Sequence, residues 1–164
     1  MDLNTYLSTI IPQNTMPPAI PDLSLFHHVQ PVQLRFNDID ILGHLNNIVY
    51  LSLYDLAKAA FLRRLKKDRI DWKKVECVIA NINCSYIRPI FFGEEIEVLT
   101  RCIHIGERSF TLQQCLVESD TRDVRSICET VMVCFDPATG KSAPMSDSLR
   151  EALTCEEAES ALRH

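Results

Sequence analysis

From residue 37 to residue 47 the chain reads Asn-Asp-Ile-Asp-Ile-Leu-Gly-His-Leu-Asn-Asn. Asp38 and Asp40 lie two apart, followed by Gly43, His44, Asn46 and Asn47. In an extended backbone alternate residues share a face, which would bring both carboxylates together; in a loop their relation is open. Gly43 permits close backbone approach. Asn46 or Asn47 suits the N-cap of a following helix. Such a helix begins with unpaired N–H groups and a partial positive charge. A carboxylate base beside that end suits acyl hydrolysis, since the N–H groups stabilise the oxyanion of a tetrahedral intermediate. Asp40 equally fits an Asx turn or a cap. Asp38 is read as ordering the loop or pairing with Arg35. Histidine is a residue type suited to acid–base work, and His44 is read as loop structure or substrate contact.

The elements on either side must hold this loop. Val29 to Phe36 alternates, with Val32 and Leu34 against Gln33 and Arg35, which predicts a first strand. Ile48 to Leu65 predicts a long helix of roughly 27 Å. Its polar interruptions up to Leu62 are Ser52, Asp55 and Lys58, one seam on a helix otherwise apolar, hence buried on most sides. A basic run follows: Arg63, Arg64, Lys66, Lys67, Arg69, Lys73 and Lys74. Four further strands are predicted, over 77–87, 95–105, 109–118 and 124–135, with Gly93, Gly106 and Asp120-Thr121 as turns. On the first of these, Val78, Ala80, Ile82, Cys84 and Tyr86 are read as one face. Residues 146–162 have helical character. Long strands joined by short turns favour an antiparallel sheet. A helix apolar nearly all round needs a curved sheet wrapped about it and a cover for its remaining side. A lone five-stranded sheet also leaves edges to be paired. Both points predict a homodimer or tetramer.

Composition narrows the classes. The chain has 164 residues, 46% hydrophobic and 24% charged, with a net charge of −5. That fits one ordinary folded domain and argues against a general nucleic-acid binder, which needs a basic balance. No apolar run reaches membrane-spanning length, and Met1-Asp2 opens no secretory leader. Seven cysteines without a C-x-x-C pair read as reduced thiols in the cytoplasm, with no metal site expected. Pro12, Pro17, Pro18 and Pro21 mark residues 1–28 as an extension that lies on the domain or is partly mobile, ahead of a domain over 29–164.

The stretch Arg35-Phe36-Asn37-Asp38-Ile39-Asp40-x-x-Gly43-His44-x-Asn46-Asn47-x-x-Tyr50 resembles the signature of the 4-hydroxybenzoyl-CoA thioesterase-like, hotdog-fold acyl-CoA thioesterases. Tyr86-Ile87-Arg88-Pro89 with Gly93-Glu94-Glu95-Ile96-Glu97-Val98 is similar to a second stretch of that family. Val131-x-Val133-x-x-Asp136 with Thr139-Gly140-Lys141 resembles its last strand and turn. The resemblance covers about residues 29–150. It implies an α+β hotdog fold, a curved antiparallel sheet around a long helix, with active sites at a dimer interface. It implies Asp40 as catalytic carboxylate, either general base or nucleophile, and substrate or oxyanion contacts from Gly43, His44, Asn46 and Asn47. Arg88, Lys73 and Lys74 are candidates for the phosphates of CoA, beside their plainer readings as an interface brace and solvated cations. The implied substrate is an acyl-CoA or acyl carrier protein thioester, without a cofactor. The alternative is a non-catalytic hotdog protein that binds the same thioesters.

Overall fold

Asn46 starts the long helix. Its backbone is extended, and its side chain accepts the Ile48 N–H at 3.0 Å. This is the usual way an Asn satisfies an orphan donor of the first turn. In the computed structural model, which describes residues 18–66 and 76–161, the helix α1 runs Asn47–Leu65. Its buried stripe of Tyr50, Leu53, Tyr54, Ala57 and Phe61 faces the sheet. Ser52 and Asp55 open to solvent as the seam predicted. The Lys58 stem is buried while its ammonium reaches Asp55 at 2.8 Å. The expectation of burial on most sides is corrected in one respect: Ile48 and Leu56 are exposed.

Five antiparallel strands form one sheet: β1 (His28–Val32), β2 (Cys77–Tyr86), β3 (Ile96–Ile105), β4 (Ser109–Glu118) and β5 (Val124–Cys134). Their spatial order is β1-β3-β4-β5-β2. A second helix, α2 (Asp147–Ala161), closes the far end, where Leu149 and Leu153 pack with Phe61, Phe110 and Met132. Nearer the start of α1, Tyr50, Leu53 and Tyr54 pack on Ile96, Val98, Leu116 and Cys128. The opposite face of the sheet is covered by the chain entering β1. A turn at Leu23–Leu25, capped by Asp22, sets Phe26 against Leu99, Cys115, Val117 and Ile127. β1 thus opens at His28, one residue inside the span read as extension; residues 1–17 lie outside those described.

The first strand is shorter than its alternation predicted. After Val32 the chain leaves the sheet and turns at Phe36–Asp38. The Asp38 carboxylate causes the turn by accepting the Arg35 N–H at 2.8 Å, and alternation alone carries no sign of that bond. The two sheet edges also differ. β1 is five residues long and contains Pro31, which blunts an edge. β2 is ten residues long and leaves Val78, Ile79, Ile82 and Tyr86 exposed. Between Ile79 and Asn81 the β2–β5 register shifts by one, with Ala80 left unpaired.

Candidate active site

The loop between β1 and α1 is built by two carboxylates with different duties. Asp38 is buried and receives the Arg35 guanidinium at 3.0 and 3.2 Å as well as the Arg35 N–H. The Arg35 hydrogen bond holds its carboxyl below the usual carboxylate range. The Asp38 carbonyl takes the Asn46 N–H at 2.9 Å, so this residue fixes both the start of the loop and the helix cap. Ile39 and Leu45 pair across the loop as an isolated bridge, and Leu45 N–H is held by the Ile90 carbonyl at 2.8 Å.

Asp40 sits at the tip of the same loop. Its Oδ1 accepts N–H groups from Leu42 at 2.8 Å and His44 at 3.4 Å. Its own N–H donates to the His44 carbonyl, and its carbonyl accepts the Gly43 N–H at 3.0 Å. Gly43 makes the turn possible at φ +80°, a conformation costly for a residue with a Cβ. One carboxylate oxygen is thereby clamped, and Oδ2 takes no hydrogen bond among the described residues. Asp40 is therefore an Asx turn and a presented carboxylate at once.

Asp40 lines a cavity of 390 Å³ together with Asn47 and Tyr50 of α1, Tyr86 at the end of β2, and the following Ile87, Arg88 and Pro89. Asn47 is the first helical residue. The Asn46 side chain takes the Ile48 N–H and the Asn46 carbonyl takes the Val49 N–H. The Asn47 N–H is left without a partner among the described residues. The Tyr86 hydroxyl donates to the Asn47 carbonyl at 3.3 Å, and its ring meets Tyr50 edge-on at 5.0 Å between centroids. Burial raises both phenols, Tyr50 to about 12, so each stays protonated at neutral pH and works as a wall and a donor.

Residues 34–153 match the thioesterase-like superfamily. The chain belongs to that superfamily. Its reaction class is thioester hydrolysis. It is 25% identical to the uncharacterized protein YsmA of Bacillus subtilis over 78% of this chain and 86% of that one. It is 22% identical to the acyl-CoA thioester hydrolase YbgC of Escherichia coli over 73% of this chain and 90% of that one. Among solved structures it resembles a thioesterase of Thermus thermophilus in complex with coenzyme A and zinc. There the TM-score is 0.69 and the identity 28%, over 81% of this chain and 96% of that one.

Within this thioesterase-like domain the expected site residues separate into groups. Asp40, Asn47 and Arg88 share the cavity. Gly43 and Asn46 shape the loop and cap behind it. His44 lends Asp40 its N–H and carbonyl while its ring packs edge-on against Phe91 at 5.2 Å. Arg88 is engaged by Asp123 at 2.6 Å. Lys73 and Lys74 lie outside the described residues. Two tyrosines of the thioesterase cavity were legible only as motif letters. Tyr50 reads as core from helical spacing, and Tyr86 reads as one more apolar residue on a strand. Tyr86 joins the site because β2 ends beside the start of α1, a contact of residues 39 apart in sequence.

Proposed function

We propose that the protein hydrolyses acyl-CoA thioesters, with Asp40 as the catalytic carboxylate. The observation that carries this reading is one cavity lined by a carboxylate clamped through a single oxygen and by the first residue of α1, whose N–H has no other partner among the described residues. The thioester carbonyl is placed at the start of α1, where the Asn47 N–H and the helix dipole meet the oxygen as it gains charge. Asp40 then either draws a proton from water as the water attacks, or attacks the carbonyl itself to give an anhydride that water opens. Either way the C–S bond breaks and the thiolate leaves. An alkyl thiol has a pKa of about 8.5, so departure needs little protonation. That is consistent with a site offering one well-placed acid and two protonated phenols. The YbgC relative, named for acyl-CoA hydrolysis, and the coenzyme A bound to the Thermus neighbour support CoA as the carrier.

The active unit is a homo-oligomer joined through the open β2 edge. Ten residues of unblunted strand with Val78, Ile79 and Ile82 exposed present both backbone partners and apolar surface for a second copy. Sedimentation that gives a monomer at assay concentration overturns this part.

A panel of short, long and aromatic acyl-CoAs, followed by loss of thioester absorbance, tests the reaction. That readout avoids thiol reagents, which the seven cysteines would consume. Turnover that collapses in folded Asp40→Asn is expected. Turnover unchanged in that variant refutes the assigned carboxylate. Tight binding without turnover refutes hydrolysis and leaves a thioester-binding protein.

A further inference from the structure

Four of the seven cysteines stand opposite one another across the β2–β5 pairing, Cys84 facing Cys128 and Cys77 facing Cys134. In an antiparallel ladder, opposed residues alternate between hydrogen-bonded pairs and closer pairs without backbone bonds. The Cα atoms of the closer pairs are about 4.5 Å apart. The Ile87 N–H donates to the Arg125 carbonyl at 2.8 Å, which marks 87/125 as a bonded pair. Three steps back along the ladder, 84/128 is a close pair. The Phe135 N–H donates to the Glu76 carbonyl at 2.8 Å, which makes the neighbouring 77/134 a close pair as well. A disulfide needs Cα atoms about 4.4–6.8 Å apart, so both pairs can be bridged with little backbone movement.

The two pairs differ in what surrounds the sulfurs. Cys84 is half-buried, and its Sγ lies 3.5 Å from the Ser126 hydroxyl, which is itself oriented by Tyr54 at 2.8 Å. Cys128 is buried, and its Sγ lies 3.8 Å from the Thr130 hydroxyl. We propose that Cys84 and Cys128 form an oxidation site at which hydrogen peroxide or an organic hydroperoxide makes a cross-strand disulfide that ties the β2 edge to β5.

The first step is attack of the Cys84 thiolate on a peroxide oxygen. A sulfur–oxygen bond forms, the oxygen–oxygen bond breaks and hydroxide leaves, so sulfur is oxidised and peroxide reduced. The Cys128 sulfur then attacks Cys84. The disulfide bond forms, the sulfur–oxygen bond breaks, and the Cys128 proton leaves with the oxygen as water. With hydrogen peroxide, two thiols and one peroxide give one disulfide and two waters. Cys84 is the half-buried sulfur of the two and Cys128 the buried one, and the facing Cys128 thiol lowers the Cys84 pKa, so Cys84 is the attacking sulfur and Cys128 the resolving one. Burial pushes Cys77 up to about 11 and also raises Cys134, so the second pair is equally close but poor in thiolate.

The test is titration of the reduced full-length protein with hydrogen peroxide and peptide mapping without reductant. Cleavage at Glu129 separates Cys128 from Cys134 and shows which of them is linked to β2. The expected result is linkage at Cys128 before any at Cys134, reversed by dithiothreitol. Cys128→Ser is expected to leave a sulfenic acid on Cys84 that dimedone traps. The proposal is overturned if the exposed Cys155 oxidises while Cys84 stays reduced, or if Cys134 is linked first. The wild-type map decides between these outcomes even if the variant does not fold. It also stands apart from thioester turnover.

Discussion

Asp38 and Asp40 belong to one short loop, yet one faces inward and the other faces the cavity. The Asp38 carboxylate is used up by the Arg35 backbone and guanidinium, and it anchors the turn. Asp40 is held through one oxygen by two N–H groups of its own loop and lines the cavity beside Asn47. The same residue type is used up where a cation closes over it and keeps one oxygen presented to the cavity where only the backbone holds it. Neither spacing nor composition distinguishes the two; the partner does.

The largest break in this comparison is Asp40→Asn. The amide keeps an oxygen for the Leu42 and His44 N–H groups, so fold and melting temperature should hold while kcat/KM falls about 10²–10⁴-fold. Steady-state rates beside a thermal melt check this. Gly43→Ala comes next. No atom lies within 4 Å of the added Cβ, so the cost is the positive φ alone, about 1–2 kcal/mol. Because the strained turn is the one that clamps Asp40, kcat should fall more than KM rises.

Asp38→Asn follows, with a loss of about 1 kcal/mol read from urea unfolding, since its Arg35 partner is largely solvated. Acid sharpens this case. The Asp38 carboxyl is held below its ordinary value of 3.8, so its contribution is whole above that pH. It fades as pH falls through the lower folded-state value. The stability gap between wild type and Asp38→Asn should therefore close in acid; a gap that widens there contradicts the pairing. The smallest effect is expected from Tyr86→Phe. It removes one long hydrogen bond to Asn47, worth about 0.5–1 kcal/mol, and should lower kcat a few-fold with the pocket wall intact.

Much of the architecture was readable because local signals agreed. Ser109–Gln113 alternates, the run to Glu118 is bounded by turn residues, and β4 has those bounds. The α1 start is written in Asn46, and the Asp38–Arg35 pairing was one of two readings of that residue. The loop was legible as a concentration of Asp, Gly, His and Asn. Its depth was not, because Tyr50 and Tyr86 become neighbours only when β2 is placed at the sheet edge beside α1. The β2 face was misread for a similar reason. From Ile82 to Tyr86 the residues taken as one face share it, but the register shift at Ala80 puts Cys77 and Ile79 on that face and moves Val78 off it. Alternation cannot reveal a bulge, since an unpaired residue looks like any other in sequence. The opposition of Cys77 to Cys134 was hidden by the same shift.

The bulge at Ala80 makes strand length as consequential as any side chain. Seven positions separate Cys77 from Cys84, an odd interval that in a flat strand would put them on opposite faces. Six separate their partners Cys134 and Cys128 on β5. The unpaired Ala80 absorbs the difference. Deleting that one codon would leave every β2–β5 partner in place, with Ile79 and Asn81 consecutive opposite Met132 and Val131 and six positions between the cysteines on both strands. What the edge would lose is the local bend and added twist that a bulge gives a strand. Substitution and deletion scans should therefore both find Ala80 more dispensable than the paired positions from Ile82 to Tyr86, whose loss would carry Cys84 away from Cys128.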